Sequence, residues 1–381
     1  MYLQHLDATE YRNYESLSLD LPGGIVVLHG DNGTGKSSFL EAVCLAATGD
    51  SPRARTTAEM IRGEGEYGFV RGQFSGPEQS TKVEIGLARS GARQIRVDGV
   101  LRRRTDLIGR APVVLFWVED IEMVRGEPSS RRRLINRELS AVSKSYDYHL
   151  RRYRRALEQR NRLLKLARDR RAKAEALDPW DRAAARHGAH IMAERALFVA
   201  ALAPEAQRAH NVVTQGRKEL AVSYRPTVGS LNGQTSLARE KKDAALVEDT
   251  TGLLLRALQT DRARDLRSGV TNSGPHRDDV ELLLDGHSVK AFGSQGEQRS
   301  CAVALRLASA AVLREMTGQR AVLLLDDVLS ELDERHRQGV FEACEADQVI
   351  ITCCDQQDIP RQARASGTVF SVTQGRIERA S

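Results

Sequence analysis

The sequence holds no run of about 18 apolar residues, so it offers no membrane-spanning helix. Its opening, MYLQHLDATEYRNYE, has no basic stretch followed by an apolar core. That excludes a secretory signal and sets the expectation of a cytoplasmic protein with no membrane partner. Cysteine is scarce: Cys44, Cys301, Cys344, Cys353 and Cys354, with no Cys-x-x-Cys among them. This spacing excludes a zinc ribbon or zinc hook, and in a reducing compartment the thiols are expected as small buried apolar groups. No internal repeat or low-complexity segment is present. What is there suits two domains: 381 residues, 41% hydrophobic and 28% charged, with 30 glycines.

The formal net charge of +6 is unevenly spread. Residues 125–175 carry 17 Lys and Arg against 6 Asp and Glu, a local net of +11, which leaves −5 on the rest. Such asymmetry fits a polyanion partner, and equally a solvated helix surface on which arginine is a good helix former. The clusters Arg131-Arg132-Arg133 and Arg151, Arg152, Arg154 and Arg155 are the candidate nucleic-acid contacts.

Hydrophobic patterning divides the chain. The first 120 residues are strand-rich: Ile25–His29 is a short apolar run, a helix follows over Ser37–Ala47, and alternating stretches near 66–74, 81–88 and 93–97 predict hairpins. Pro112–Trp117 is a further strand. From Glu127-Pro128-Ser129 to about 218 the pattern is helical, with Leu150, Tyr153, Leu157 and Leu164 near heptad spacing and Arg160 interrupting them. Asp178-Pro179 starts another helix, whose stripe runs through Ile191, Phe198 and Leu202. Two antiparallel helices of roughly 25 residues make an arm of about 35–40 Å. A third helical stretch near 234–264 follows the loop GSLNGQ. Strands and helices alternate again from 278: strands Val280–Leu284, Ala321–Leu325 and Val349–Cys353, helices from 295 and 334. The boundaries read from this are a discontinuous α/β lobe, 1–125 with 268–381, and a basic helical lobe, 126–267.

Gly30-Asp31-Asn32-Gly33-Thr34-Gly35-Lys36-Ser37 fits G-x-x-x-x-G-K-[ST] between a strand and a helix. Glycines let backbone N–H groups converge on phosphates. Lys36 would hold the β- and γ-phosphates of ATP, Ser37 would ligate Mg²⁺, and Ser38 could donate to the α-phosphate. The apolar run Ala321–Leu325 ends in Asp326 and Asp327, as a buried parallel strand delivering carboxylates to its C-terminal edge. Asp326 would bind Mg²⁺ through water, and Asp327 would orient or deprotonate the attacking water. Ser294-Gln295-Gly296-Glu297 opens a helix. Alone it reads as an N-cap; placed before the Asp326 strand it resembles the L-S-G-G-Q signature of ATP-binding-cassette ATPases, an anion site at a helix N-terminus. Ser330 to Asp333 resembles the D-loop that meets a partner subunit. No Q-loop glutamine is evident; Phe116–Asp120 stands in that place, with Glu119 or Asp120 as the groups that could approach Mg²⁺. The switch position after the Val349–Ile351 strand is Thr352, not histidine.

These motifs occur in the order Tyr11-Arg12-Asn13-Tyr14-Glu15, P-loop, Phe116–Asp120 with Arg131–Arg133, Gly274-Pro275-His276-Arg277-Asp278-Asp279, Ser294–Arg299 and Leu324–Asp333. Together they resemble the RecF family, bacterial recombination mediators with a head like those of SMC proteins. The resemblance implies an α/β ABC/SMC-type P-loop ATPase head with an inserted α-helical lobe carrying a short antiparallel arm. It implies a weak, DNA-stimulated ATPase that forms an ATP-dependent homodimer on duplex or gapped DNA. RecO and RecR would be its partners, loading RecA in repair, replication restart and the SOS response. Arg12 would reach the nucleotide, and Ser294 of a second chain would meet the γ-phosphate held by Lys36 of the first. His276 and Arg277 are left between an interface, a DNA-facing loop and a structural turn. The alternative of another class is the ATPase subunit of an ABC transporter, against which stand the basic helical insertion, the missing glutamine and Asp327. A nuclease fused to a similar head has no room after residue 355, and a structural tether needs far longer arms.

Overall fold

The computed structural model describes residues 1–76, 80–216, 218–229, 241–344, 346–355, 359 and 361–380. In chain order the first elements are β1 (Tyr2–Tyr11), β2 (Tyr14–Asp20), β3 (Gly24–His29), α1 (Lys36–Thr48), β4 (Tyr67–Ser75), β5 (Ser80–Ala88), β6 (Arg93–Val97), β7 (Val100–Arg102) and β8 (Val113–Trp117). Helices follow: α2 (Glu122–Arg125), α3 (Pro128–Val142), α4 (Lys144–Arg168) and α5 (Asp178–Thr214). Next come β9 (Leu220–Arg225), α6 (Lys241–Thr260), α7 (Arg262–Ser268), β10 (Asp279–Leu284), β11 (His287–Ser288), α8 (Val289–Phe292) and α9 (Gln295–Thr317). The chain closes with β12 (Val322–Asp326), α10 (Glu334–Ala343), β13 (Gln348–Cys353), α11 (Arg361–Ser366), β14 (Thr368–Thr373) and β15 (Arg376–Arg379). The loop GSLNGQ lies outside the described residues from Ser230 on, as does the stretch up to 240 that was expected to begin the third helix. Among the described residues no helix is long and apolar enough to cross a membrane.

The chain divides into two compact units, Met1–Asp120 with Arg208–Arg217 and Arg299–Ser381, and Ile121–Gln207 with Lys218–Gln298. Residues 268–298, which the sequence places with the ATPase lobe, thus fall in the second unit.

The first unit has two six-stranded sheets. One runs β2-β1-β4-β5-β6-β7 and is antiparallel throughout. The other runs β15-β14-β3-β13-β12-β8 and is parallel apart from the β14–β15 pair. Its central strands β12 and β13 are buried at every position, as continuous apolar runs covered on both faces must be. Helix α1 is buried nearly all round, with Phe39, Leu40, Val43 and Leu45 in one core with Leu6 and Val70 of the antiparallel sheet and Val26, Leu28 and Leu324 of the parallel one. That core holds the first residues of α1 still against the strand ends.

The second unit is mostly helical, with the small antiparallel sheet β11-β10-β9. Sequence pattern missed β9, because six residues of alternation between long helices give a weak signal. Arg160, the interruption in the α4 stripe, is fully buried. Its guanidinium donates to Asp181 (2.7 Å), Asp265 (2.6 Å), Thr271 Oγ1 (2.8 Å) and the Leu258 carbonyl (3.2 Å). It therefore ties α4 to α5 and α7 through paired charges rather than apolar packing.

Candidate nucleotide site and nucleic-acid surface

The P-loop leaves the carboxyl end of β3, and its glycines are there for close approach. A Cβ on Gly30 would lie 2.2 Å from the Val372 carbonyl oxygen, and Gly35, at φ +121°, has the Tyr14 hydroxyl 3.1 Å from where its Cβ would be. The opening hairpin clasps the loop from outside. Tyr14 donates to the Gly35 carbonyl (2.9 Å), and Asn13 donates to the Gly33 carbonyl (3.1 Å) and accepts from Ser38 Oγ (2.9 Å). Lys36 is buried, and its ammonium donates to the Gly30 and Asp31 carbonyls at 2.6 and 2.8 Å. Cys354 stands beside it, with Sγ 3.7 Å from Lys36 Nζ and donating to Asn32 Oδ1 at 3.0 Å.

Strand β13 lies between β3 and β12, so Leu28, Thr352, Asp326 and Trp117 form one row across the parallel sheet. Asp326 Oδ1 accepts from Ser37 Oγ at 2.9 Å and from Thr352 Oγ1 at 2.8 Å. Burial raises the Asp326 carboxyl above the usual carboxylate range, against these two hydroxyls, which lower it. Thr352, fully buried, also accepts the Asp327 backbone N–H at 3.0 Å. Asp327 takes a left-handed backbone (φ +55°), an uncommon conformation that aspartate tolerates better than most residues. Ser330 donates back to its carbonyl at 2.7 Å. The Ser37 hydroxyl beside the Asp326 carboxylate is an oxygen donor pair that fits Mg²⁺, which takes few protein ligands and keeps water and phosphate oxygens. Among the described residues no group of three or more His, Cys, Asp or Glu could hold a metal ion.

Other candidates have different work. Arg12 is engaged two-pronged by the buried Glu41 of α1 (2.9 and 2.8 Å), so its charge is already matched within the first unit. Ser38, expected at the α-phosphate, donates to Asn13. Asp120 accepts the Trp117 N–H (3.1 Å) and pairs with the buried Arg306 (3.1 Å), a structural closure of β8, whereas Glu119 is exposed. Asp333 caps α10, accepting from the His336 N–H (2.9 Å) and facing its Nδ1 (2.7 Å), which holds its carboxyl below the usual range.

Ser294 and Glu297, in the second unit, form a reciprocal cap on α9: Ser294 N–H and Oγ donate to Glu297 Oε2 at 2.8 and 2.9 Å. Gln295 and Gly296 are exposed on the first turn. Of the basic candidates, Arg131 is a correction. It is buried, paired through two nitrogens with Asp279 (2.6 and 3.0 Å) and donates to the Met123 and Gly126 carbonyls, so it has no charge to offer a phosphate. Arg132 is half-buried against the Asp278 carbonyl (2.6 Å). Arg133, Arg151, Arg152, Arg154 and Arg155 are exposed; Arg151 pairs with Asp147 (2.9 Å) and Arg152 lies over the Tyr148 ring. His276 is locked inside: its Nε2 donates to the Thr271 carbonyl (2.9 Å), which leaves Nδ1 to accept from the Tyr153 hydroxyl (2.7 Å). Its next-but-one neighbour Asp278, fully buried, accepts from Tyr224 and from Thr227 N–H and Oγ1 (2.8 and 2.9 Å). His276 and Asp278 thus anchor this turn internally, while Arg277 is exposed.

The family model described as RecF/RecN/SMC N terminal domain matches residues 2–378. The chain belongs to the RecF/RecN/SMC family. Within it, the chain is 34% identical over 385 residues to the DNA replication and repair protein RecF of Symbiobacterium thermophilum, covering 99% of this chain and 98% of that one. It is 30% identical over 380 residues to the RecF of Lachnoclostridium phytofermentans, covering all of both. A solved structure of the recombination mediator protein RecF-ATPrS in the RecFOR pathway superposes with a TM-score of 0.88 at 28% identity, covering 100% of this chain and 98% of that one. The Smc head bound to the C-winged helix domain of ScpA shares the fold, at a TM-score of 0.55 and 12% identity. The relatives support the expected RecF reading and the ABC/SMC-type head. Sequence reasoning gave a role only to Arg12 in the opening hairpin; Asn13 and Tyr14 beside it are the residues that hold the P-loop, and their polar and aromatic side chains at a hairpin tip were the available signal.

Proposed function

We propose that this chain is a cytoplasmic, nucleoid-associated recombination mediator of the RecF type. It binds ATP, dimerises on it and clamps duplex or gapped DNA. With RecO and RecR it promotes RecA loading in recombinational repair and replication restart. The observation that carries the reading is the meeting of Ser37 and Asp326 at 2.9 Å under Thr352, at the carboxyl ends of parallel strands beside a P-loop lysine. RecF relatives named for DNA replication and repair, and a RecF solved with ATP, support it. The transporter alternative gains nothing from either line of support.

In this reading Lys36 holds the β- and γ-phosphates and the backbone N–H groups of Gly33 to Ser37 cradle them. Ser37, and Asp326 through water, would hold Mg²⁺, which would neutralise phosphate charge. Asp327 orients or deprotonates the attacking water. Ser294 of the second chain meets the γ-phosphate in trans, so hydrolysis removes the group that holds the dimer and the clamp opens. Phosphoryl transfer of this kind is positioning and charge neutralisation, which suits a weak, DNA-stimulated ATPase. The test is a pair of variants followed by nucleotide binding and by phosphate release: Lys36→Met should lose ATP binding, and Asp327→Asn should bind ATP and hydrolyse it slowly. Hydrolysis at the wild-type rate by Asp327→Asn would remove Asp327 from the mechanism.

A further inference from the structure

We propose that Glu297 and Lys218 control access to Ser294: Glu297 occupies the anion-accepting groups of its own motif, and Lys218 draws the carboxylate off when a phosphate takes its place. The inference rests on the reading of Ser294 as the group that meets a second chain's nucleotide. Ser294 N–H and Oγ both donate to Glu297 Oε2, at 2.8 and 2.9 Å, and these are the groups a terminal phosphate would need. The carboxylate therefore sits at the positive end of the 23-residue α9, where the phosphate is to come. Its other oxygen accepts from Lys218 Nζ at 2.6 Å. Hydrogen bonds from Lys218 and then Ser294 hold the carboxyl down at about 2, so at any working pH it is an anion. The backbone around it is preset, because Gln298 Nε2 donates to the Gly293 and Val289 carbonyls at 3.1 and 3.3 Å. The turn is open on its outer side: nothing lies within 4 Å of where a Cβ of Gly296 would stand.

A carboxylate and a phosphate cannot share two donors without like-charge repulsion, so one must leave. Lys218 is half exposed on a flexible stem and already holds the far oxygen, which makes it the receiving group. Both are positioning residues, acting on the phosphate through Ser294. Glutamine at 297 keeps an oxygen to cap Ser294 and removes the charge. Glu297→Gln should therefore lower the ATP concentration for half-maximal dimerisation about fivefold, the scale of a solvent-exposed charge contact. Lys218→Met should raise that concentration, Lys218→Arg should restore it, and Lys218→Met added to Glu297→Gln should have no further effect. The assay is sedimentation of the full chain against ATP, normalised by nucleotide binding at protein concentrations below dimerisation. An unchanged or higher midpoint for Glu297→Gln overturns the proposal. So does a Lys218→Met penalty that survives in the Glu297→Gln background, since the lysine would then meet the phosphate itself. If the wild type and Glu297→Gln both bind ATP and neither dimerises, the reading of Ser294 fails and takes this proposal with it.

Discussion

Thr352→Val tests how the two aspartates are held. The substitution keeps the shape of the side chain and removes one hydroxyl, which is fully buried and makes two strong contacts. It donates to Asp326 Oδ1 at 2.8 Å and accepts the Asp327 N–H at 3.0 Å. A hydrogen bond to a charged group contributes about 1.5–3 kcal/mol, and a buried N–H left without its acceptor costs about 1–3 kcal/mol. Ser37 still donates to the same oxygen at 2.9 Å, which offsets part of the first loss. A net cost of about 3 kcal/mol follows, or a fall of about 6–12 °C in the unfolding midpoint for a domain of this size. The second consequence is chemical. The Asp327 N–H bond steadies a left-handed residue (φ +55°), and its loss lets the backbone relax and the carboxylate shift. Hydrolysis in a single turnover at saturating ATP should drop about tenfold or more, since misplacement of a reacting group by about 1 Å carries penalties of that order and above. Thr352→Ser keeps the hydroxyl and should recover most of both effects. A Thr352→Val protein that unfolds within a degree of wild type and hydrolyses ATP at the wild-type rate refutes the reasoning.

Replacing Arg151, Arg152, Arg154 and Arg155 by glutamine should weaken duplex binding without base preference and flatten the plot of log affinity against log salt, by about 0.9 for each phosphate no longer neutralised; an unchanged slope places the DNA elsewhere. Arg160→Ala removes the cation from the buried Asp265 carboxylate and leaves Asp181 to Arg262 alone, and should cost about 3–5 kcal/mol in denaturant unfolding; a loss under about 1 kcal/mol contradicts the network. His149, His187 and His190 pack together, with the first two Nδ1 atoms 3.0 Å apart and the rings of His149 and His190 stacked at 3.7 Å. Burial foremost pushes all three below the ordinary 6.5, His149 to about 4, with the neighbouring imidazoles adding at His149 and Arg186 adding at His187 and His190. The unfolded chain then binds more protons, so their contribution is complete above pH 6.5 and falls away towards pH 4; calorimetry of a His149→Gln, His187→Gln, His190→Gln triple variant should show a flatter acid limb than wild type.

Much of the first unit was legible because its signals are local. The P-loop spacing, the apolar run ending at Asp326 and the hairpin alternations each fix an element without reference to distant residues. Thr352 was legible as a position but not as a contact, because its partners come from two other segments through strand order. Arg131 read as a nucleic-acid contact and Arg160 as an interruption of an apolar stripe; burial of an arginine is set by carboxylates 148, 21 and 105 residues away, which no helical period displays. The hairpin tip failed for the same reason in reverse: Arg12 stood out by charge, while Asn13 and Tyr14 make the contacts with the loop.

The central claim is a composite site that needs two chains, and activity of mixed variants addresses it most directly. Ser294→Arg should bind ATP and remain a monomer without hydrolysis, and Lys36→Met should fail to bind ATP. Mixed in equal amounts they should regain hydrolysis from at most one working site per heterodimer, built from the P-loop of the first and the serine of the second. Full dimerisation and hydrolysis by Ser294→Arg alone would contradict the account.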